Sequence, residues 1–160
     1  MKRPSHFDQT GAARMVDVSA KPAPRRTARA HAFVRIRQAA LEKLPENPKG
    51  NPLETARLAG IAAAKKTAEL IPLCHPLPLT HAEVDLRVER NGIRIVASAA
   101  AVAPTGVEME ALAAAAVAAL TVYDMMKALD RSIEIHDLYL LEKTGGQSGD
   151  YRRRGRDKEP

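Results

Sequence analysis

The chain has 160 residues, a hydrophobic content of 45% and a formal net charge of +6. This length and apolar content predict one globular domain and exclude a disordered or fibrous chain. The single cysteine, Cys74, excludes an intramolecular disulfide, and no Cys/His cluster has the spacing of a zinc site. No apolar run reaches the ~18 residues of a membrane helix. The first ten residues lack the apolar segment of a secretory signal. We therefore expect a soluble, cytoplasmic protein with no membrane partner.

The first part of the chain predicts extended pieces followed by a short helix. Residues 1–14 are polar and irregular, which predicts a flexible segment. Residues 15–18 alternate apolar and polar side chains as a short strand does, and residues 25–37 predict a longer strand, with a helix as the alternative. A short helix over residues 37–44 leads into a loop of Pro, Asn and Gly, which displays Lys49 at its tip.

The middle of the chain predicts a helix and then a β-hairpin. Asn51 followed by proline marks the start of the helix, which runs to about residue 70 and has a small-residue face at Gly60. Prolines on both sides of His75 fix an extended segment that holds this histidine rigidly. Alternation over residues 84–97 about an Asn-Gly pair then predicts the hairpin.

The longest helical segment covers residues 104–130. Its middle is almost wholly apolar, which predicts a core helix covered by a sheet, another helix or another subunit. Thr105 and Glu108 have the spacing of a capping box at its start, and Glu110 lies in the same first turn, where acids are favoured by the helix dipole. Glu108 therefore has two interpretations, as a capping carboxylate or as a functional group.

The other end of this helix carries a pair of opposite charges. Asp124 and Lys127 lie at i and i+3 and therefore side by side on one face. One interpretation is an exposed ion pair. Because the preceding turns are apolar, we expect instead that the pair borders the core, where burial perturbs pKa values and acid/base chemistry is found.

The chain ends in further strands and a basic tail. Residues 131–143 alternate again and predict one or two strands, whereas residues 151–160 lack apolar periodicity and predict a disordered tail. The whole order favours an α+β fold, with helices on one face of a largely antiparallel sheet. Residues 15–150 are then a single α+β domain between the flexible segment 1–14 and the tail.

Several strings of the sequence are similar to one enzyme family. MVDVSAK, TARLAGIAAAKKT, LIPLCHPL, TGVEMEAL, AALTVYDMMKA and GGQSGD resemble the MoaC family of molybdenum cofactor biosynthesis, the cyclic pyranopterin monophosphate synthases. The likeness spans about residues 15–150 and leaves out the tail. Gln147 departs from it, because many members carry lysine there, and this puts a phosphate contact at that position in doubt.

The resemblance implies a ferredoxin-like α+β subunit that assembles into dimers and then a hexamer. The implied reaction converts 3′,8-cyclo-7,8-dihydroguanosine 5′-triphosphate, supplied by an upstream radical SAM enzyme, into cyclic pyranopterin monophosphate with release of pyrophosphate. No cofactor or bound metal is required, although Mg²⁺ is compatible with the triphosphate. The site positions implied by the resemblance are Asp17, Arg26, Lys49, Leu73, Cys74, His75, Glu108, Met109, Glu110, Asp124, Lys127 and Lys143.

The implied chemistry matches what these side chains offer. Ring opening and pterin closure need several proton transfers, and formation of the cyclic phosphate needs cations near the departing pyrophosphate. We assign Asp124 and Lys127 as the central acid/base pair and Lys49 as a second proton donor or phosphate clamp. The residues around Cys74 and His75 line the substrate site, and those from Glu108 to Glu110 hold the guanine-derived edge.

Two other classes of function compete with the enzyme. A basic α+β domain could present its sheet to RNA, but that function predicts aromatic residues on the hairpin, and residues 84–97 contain none. Arg25, Arg26 and Arg29 of the predicted strand 25–37 could hold phosphate or be merely exposed. A purely structural subunit would leave Asp124, Lys127 and His75 freely replaceable. We therefore expect an enzyme with a small-molecule substrate and no nucleic-acid partner.

Overall fold

A five-stranded sheet forms the centre of the computed structural model, which describes residues 6–146 and 149–154. The strands are β1 (Arg25–Arg35), β2 (Leu79–Glu89), β3 (Gly92–Val102), β4 (Glu134–Thr144) and β5 (Tyr151–Arg152). They pair only in antiparallel fashion, in the order β2-β3-β1-β4-β5. The helices are α1 (Gln38–Leu41), α2 (Pro52–Lys65), α3 (Thr67–Leu70) and α4 (Glu108–Met126), with a 3₁₀ turn at Leu44–Glu46.

The two long helices pack on the same sheet and on each other. α4 contacts β1, β3 and β4, and α2 contacts β2 and α4. The sequence β1-α2-β2-β3-α4-β4 is the ferredoxin-like arrangement. The predicted α+β fold with an antiparallel sheet is therefore confirmed.

The core is made of small and branched side chains on alternate positions of the strands. Ala30 and Ala32 of β1 and Ile93 and Ile95 of β3 are fully buried, as period-2 alternation requires of the covered face of a sheet. By length and composition alone α4 could also cross a membrane. Nine of its residues are buried within the domain, which is the arrangement of a core helix in a globular protein.

The predicted small-residue face of α2 packs directly on α4. A Cβ atom at Gly60 would lie 2.9 Å from the carbonyl oxygen of Ala114 and 3.2 Å from the Cβ of Ala118. Such distances leave no room for a side chain. The absence of a side chain at Gly60 therefore allows the two helices to approach closely.

The predicted starts of α2 and of the hairpin are confirmed, with one shift in the turn. The Asn51 side chain accepts hydrogen bonds from the amides of Leu53 and Glu54, at 3.0 and 3.2 Å, as an N-cap does. In the hairpin, Glu89 pairs with Gly92, so the turn lies one residue earlier than the Asn-Gly pair suggests. Gly92 is the first residue of β3, where a Cβ would collide with the Val34 carbonyl.

Three local predictions were wrong. Residues 15–18 form no strand. The capping box is absent, because α4 begins at Glu108 with Val107 as its uncapped N-cap, and the Thr105 hydroxyl instead donates to the Gly106 carbonyl at 3.2 Å. The helix predicted to reach residue 70 ends at Lys65 and restarts as α3. The Thr67 hydroxyl donates hydrogen bonds to the carbonyls of residues 63 and 64, which favours a break in the helix at this point.

Both ends of the chain are more ordered than predicted, as far as they are described. Asp8 accepts hydrogen bonds from Thr10 and Ala12 in a small turn. At the other end, β5 pairs with β4, and the Arg153 guanidinium lies 4.1 Å from the centroid of the Tyr139 ring. A cation over an aromatic face is attractive. Residues 151 and 152, which were predicted to belong to a disordered tail, are therefore part of the sheet, and positions 155–160 lie outside the described part of the chain.

Candidate functional site

A cavity of about 340 Å³ lies at the N-terminal end of α4 and is called the Glu110 pocket below. Six residues that the sequence predicted for the site line it: Leu73, Cys74, His75, Glu108, Met109 and Glu110. They come from the proline-fixed segment before β2 and from the first turn of α4. The motifs LIPLCHPL and TGVEMEAL, which are about thirty residues apart in the sequence, therefore form walls of one cavity.

Glu110 is the most unusual group in this pocket. The residue is only 4% exposed, and no described residue offers a hydrogen bond to its Oε2 atom. Burial raises the pKa of the Glu110 carboxyl, the negative charge of Glu108 raises it further, and a backbone hydrogen bond acts in the opposite direction. A carboxyl that retains its proton more readily, with one oxygen unpaired, is suited to hydrogen-bonding a ligand.

His75 and Cys74 contribute the wall that comes from the proline-fixed segment. The Nε2 atom of His75 lies 2.7 Å from the Val16 carbonyl, which can only accept, so Nε2 carries a proton and the ring is fixed in place. Burial, and then the charge of Glu110, raises the pKa of the Cys74 thiol. A thiol with a raised pKa is a poor nucleophile. We therefore expect Cys74 to shape the pocket rather than to form a covalent intermediate.

The segment around Val16 runs along the pocket instead of joining the sheet. Val16, Val18 and Lys21 all contribute to the lining. Asp17, predicted as a site residue, does not. Its carboxylate accepts hydrogen bonds from the amide and hydroxyl of Ser19, at 2.9 and 2.7 Å, which lowers the pKa of Asp17. The side chain of Asp17 thus stabilises a turn beside the pocket.

Lys143 connects the pocket to β4. Its Nζ atom lies 3.2 Å from Oε1 of Glu108, and its side chain is 18% exposed. Glu108 therefore neither caps α4 nor stands alone, since a lysine from the sheet partly neutralises it. The pair places a cation beside Glu108, which lines the pocket, and the role of Lys143 in substrate binding stays a prediction.

Arg26 contacts the loop that precedes α4, near the Glu110 pocket. This arginine is buried, which excludes the interpretation of a merely exposed residue. Its guanidinium donates to the carbonyls of Ala103 and Pro104, at 3.2 and 3.1 Å. A Cβ at Gly146 would collide with Nη1 of Arg26. Arg26 thus holds the loop that leads into α4 and underlies the Gly-Gly turn, and its contact with a phosphate stays a prediction. Gln147 lies outside the described residues.

The other three predicted residues form a separate group at the C-terminal end of α4, called the lysine cluster below. The Nζ atoms of Lys49 and Lys127 lie 3.1 and 2.7 Å from the two carboxylate oxygens of Asp124. The predicted pairing is confirmed. The expectation that this pair borders the core was wrong, because the side chains of Asp124 and Lys127 are 56% and 52% exposed.

The protonation states in the lysine cluster follow from these contacts. Hydrogen bonds from Lys127 and then Lys49 lower the pKa of the Asp124 carboxyl, and the hydrogen bond to Asp124 raises the pKa of the Lys127 ammonium. Both groups are therefore charged at neutral pH. Proton transfer by Lys127 requires that a substrate or another chain change this environment.

The Glu110 pocket and the lysine cluster lie at opposite ends of α4. The helix has 19 residues, which at 1.5 Å per residue is roughly 28 Å. The structure thus gathers the predicted residues into two groups, and within one chain it does not bring the groups together.

Sequence reasoning missed some residues of the Glu110 pocket. Lys21 is the last residue of the string MVDVSAK, so the family resemblance contained it although no role was assigned. Thr105 was interpreted only as a cap, Leu77 ends the string LIPLCHPL without an assigned role, and His6 carries no motif. These residues line the pocket because of tertiary packing, which local sequence patterns do not predict.

A larger concavity of about 1100 Å³ lies at the opposite end of the sheet from the Glu110 pocket. Its charged lining includes Arg35, Arg37, Arg87, Arg90 and Arg94, and it contains none of the predicted site residues. The side chains of Arg35, Arg37 and Arg87 are 58%, 72% and 74% exposed. These features are typical of a solvated, basic surface. Over the described residues, no three His, Cys, Asp or Glu side chains are grouped to hold a metal.

The fold and the Glu110 pocket define a ferredoxin-like α+β protein whose carboxyl, imidazole and ammonium groups suit a small polar ligand. The sequence pattern of the MoaC family matches residues 15–146. The chain belongs to the MoaC family.

Three relatives match over almost their whole length. The chain is 52% identical over 155 residues to the cyclic pyranopterin monophosphate synthase of Parvibaculum lavamentivorans, covering 94% of this chain and 97% of the relative. It is 54% identical over 152 residues to the enzyme of that name from Deinococcus radiodurans, covering 94% and 90%. It is 54% identical over 153 residues to that from Thermomicrobium roseum, covering 93% and 92%.

The raised pKa of Glu110 predicts a pH-dependent effect on stability. Above the ordinary pKa of 4.5, the unfolded chain loses this proton more easily than the folded protein, so stability is lost as pH rises through the folded pKa. Glu110→Gln removes the ionisation. We expect the variant to melt at a higher temperature than the parent protein at pH 7, with the difference shrinking below pH 4.5.

The matched control is Glu108→Gln, because Glu108 is more exposed and paired with Lys143. Thermal unfolding followed by circular dichroism at both pH values measures the effect. If Glu110→Gln were no more stable than the parent protein at pH 7, the buried carboxyl would not be desolvated as described.

Proposed function

We propose that the chain catalyses the formation of cyclic pyranopterin monophosphate, the reaction that names its relatives. The observation that carries the proposal is that the motifs LIPLCHPL and TGVEMEAL, which resemble the family, enclose one pocket with an unpaired carboxyl. The substrate is 3′,8-cyclo-7,8-dihydroguanosine 5′-triphosphate, made by an upstream radical SAM enzyme in the same cytoplasm. Any Mg²⁺ arrives with the triphosphate as part of the substrate.

The Glu110 pocket binds the guanine-derived part of the substrate. Ring N–H groups of a guanine are donors, and the unpaired Oε2 of Glu110 is an acceptor when ionised. His75 lines the pocket, and because its Nε2 is occupied by the Val16 carbonyl, the second ring nitrogen is the one left to bind the substrate. These two contacts orient the base, and Met109 and Leu73 exclude water from around it.

The lysine cluster supplies protons and positive charge. In the cyclisation, a ribose hydroxyl oxygen attacks the α-phosphorus and its proton passes to the acid/base pair of Asp124 and Lys127, while the bond from that phosphorus to the bridging oxygen breaks and pyrophosphate leaves with the electron pair. Cations near the leaving group stabilise its developing charge. Lys49 and Lys127 are those cations, and each ammonium group lies within 3.1 Å of a carboxylate oxygen of Asp124.

The active site is shared between two copies of the chain. A single substrate cannot bridge roughly 28 Å between the ends of one α4. A symmetric dimer can place the start of one α4 beside the end of the partner's α4, and it does so twice. Exposed apolar side chains on α4, Leu120 at 58% and Tyr123 at 37%, are consistent with a covering subunit. Such dimers assemble further into a hexamer.

Loss of the Lys127 ammonium tests the assigned chemistry. Because Lys127 is exposed at the end of the helix, Lys127→Ala should leave the fold intact and lower turnover by about 10²-fold or more. The measurement is pyranopterin formed from the cyclic GTP-derived substrate, with circular dichroism to verify folding. Lys43→Ala is the control, because Lys43 is also exposed and takes part in none of the described ion pairs. Near-normal activity of Lys127→Ala would refute the assignment.

Mixing two inactive variants tests the shared site. Glu110→Ala and Lys127→Ala proteins are combined under conditions of subunit exchange. A site that takes Glu110 from one chain and Lys127 from another regenerates pockets containing neither change, so we expect activity to return. Tagged copurification establishes that mixed oligomers form. Mixed oligomers without activity would show that each chain builds its own site.

A further inference from the structure

The loop that carries Lys49 is attached to the last turn of α4. Carbonyl groups at the end of a helix lack intrahelical partners. Two of them, at Asp124 and Met125, accept hydrogen bonds from this loop: Lys49 Nζ donates to Asp124 O at 2.8 Å, and Asn47 Nδ2 donates to Met125 O at 3.0 Å. Adjacent carbonyls of one helix end therefore hold two side chains of one loop.

Asn47 is the buried member of this attachment. The residue is 8% exposed, and its Nδ2 atom also lies 3.3 Å from the sulfur of Met126. Its Oδ1 atom accepts from the backbone amide of Lys49 at 2.9 Å. A planar amide offers a donor and an acceptor at once. Asn47 thus connects the Lys49 backbone to the α4 backbone through a single rigid group.

The ion pair alone would hold Lys49 loosely. The side chains of Lys49 and Asp124 are 39% and 56% exposed, and solvent-exposed pairs contribute little because water and side-chain entropy oppose them. The ammonium group at the end of a flexible lysine side chain stays in one position more readily when the backbone of that lysine is fixed. The buried Asn47 bonds supply that fixation.

We propose that Asn47 is a positioning residue for the reaction, which acts by holding the Lys49 ammonium against Asp124 at the end of α4. The proposal rests on the proposed function, which assigns Lys49 to the chemistry. Asn47 itself touches neither substrate nor reacting atoms.

Two variants of Asn47 and one control separate positioning from stability. Asn47→Ala removes both bonds, and Asn47→Asp keeps an acceptor for the Lys49 amide but faces the Met125 carbonyl with a second acceptor. The control is Asn51→Ala, because Asn51 lies in the same region and also makes two hydrogen bonds to the backbone, from the amides of Leu53 and Glu54, and none of its described hydrogen bonds involves Lys49. Thermal unfolding identifies the variants that remain folded.

The first readout is independent of turnover. Acylation of lysines by an N-hydroxysuccinimide ester, followed by mass spectrometry, reports how freely each amine moves and reacts. Asn47→Ala and Asn47→Asp should accelerate the labelling of Lys49 by about threefold or more relative to that of Lys43, and Asn51→Ala should not. Unchanged relative labelling of Lys49 in folded Asn47 variants would overturn the proposal.

The second readout is single-turnover kinetics with the enzyme in excess, using the cyclic GTP-derived substrate. Misplacement of a catalytic group by about 1 Å can cost up to 10²-fold in rate. We expect Asn47→Ala alone to lower the rate by about tenfold or more. In a double variant with Lys49→Ala, it should lower the rate by at most about a further twofold, because no Lys49 ammonium is then left to position. Full additivity in that double variant, or a rate equal to that of Asn51→Ala, would also overturn the proposal.

The two readouts distinguish the failure of this inference from that of the proposed function. If the parent protein did not turn over the substrate, the proposed function would be wrong, and the contribution of Asn47 to that reaction would fail with it. If the parent protein were active and Asn47 variants matched it in both readouts, only the positioning role would be wrong.

Discussion

The close packing of α4 against the sheet and α2 determines where all the functional groups lie. Alanine side chains on α4 and the bare backbone of Gly60 on α2 allow the two helices to approach within van der Waals contact. Interiors packed at such density do not deform continuously. α4 is therefore rigid, and its length separates the Glu110 pocket at one end from the lysine cluster at the other.

This constraint gives the two ends different electrostatic characters. At the N-terminal end, Glu110 is buried with an unpaired oxygen, and its pKa is raised. At the C-terminal end, Asp124 lies between two exposed lysines, and its pKa is lowered. In the isolated chain only the first end has a group whose pKa is shifted toward neutrality. The lysine cluster becomes suited to proton transfer when something covers it, and a partner subunit with its bound substrate would do so.

Much of this could be predicted from sequence because the signals were local or carried by motifs. The hairpin follows from period-2 alternation around a turn, and the start of α2 follows from Asn51 and the proline after it. The association of His75 with Glu110 came from the resemblance rather than from spacing, since thirty-five residues separate them.

Predictions from local sequence failed where tertiary contacts decide the outcome. The apolar turns before Asp124 suggested that the Asp124 and Lys127 side chains are partly buried, yet the C-terminal end of α4 lies at the surface. Thr105 has the right spacing for a cap, but the bent loop held by Arg26 turns its hydroxyl elsewhere.

The central claim is that one active site takes the Glu110 pocket from one chain and the lysine cluster from another. A crystal structure of the oligomer with an unreactive analogue of the cyclic triphosphate substrate tests it most directly. In a shared site, we expect one ligand to contact Glu110 of one subunit and the partner subunit's Lys127, each within a hydrogen-bonding distance of about 3.5 Å. A ligand whose contacts with Glu110 and Lys127 came from a single chain, or that touched only one of the two groups, would contradict it.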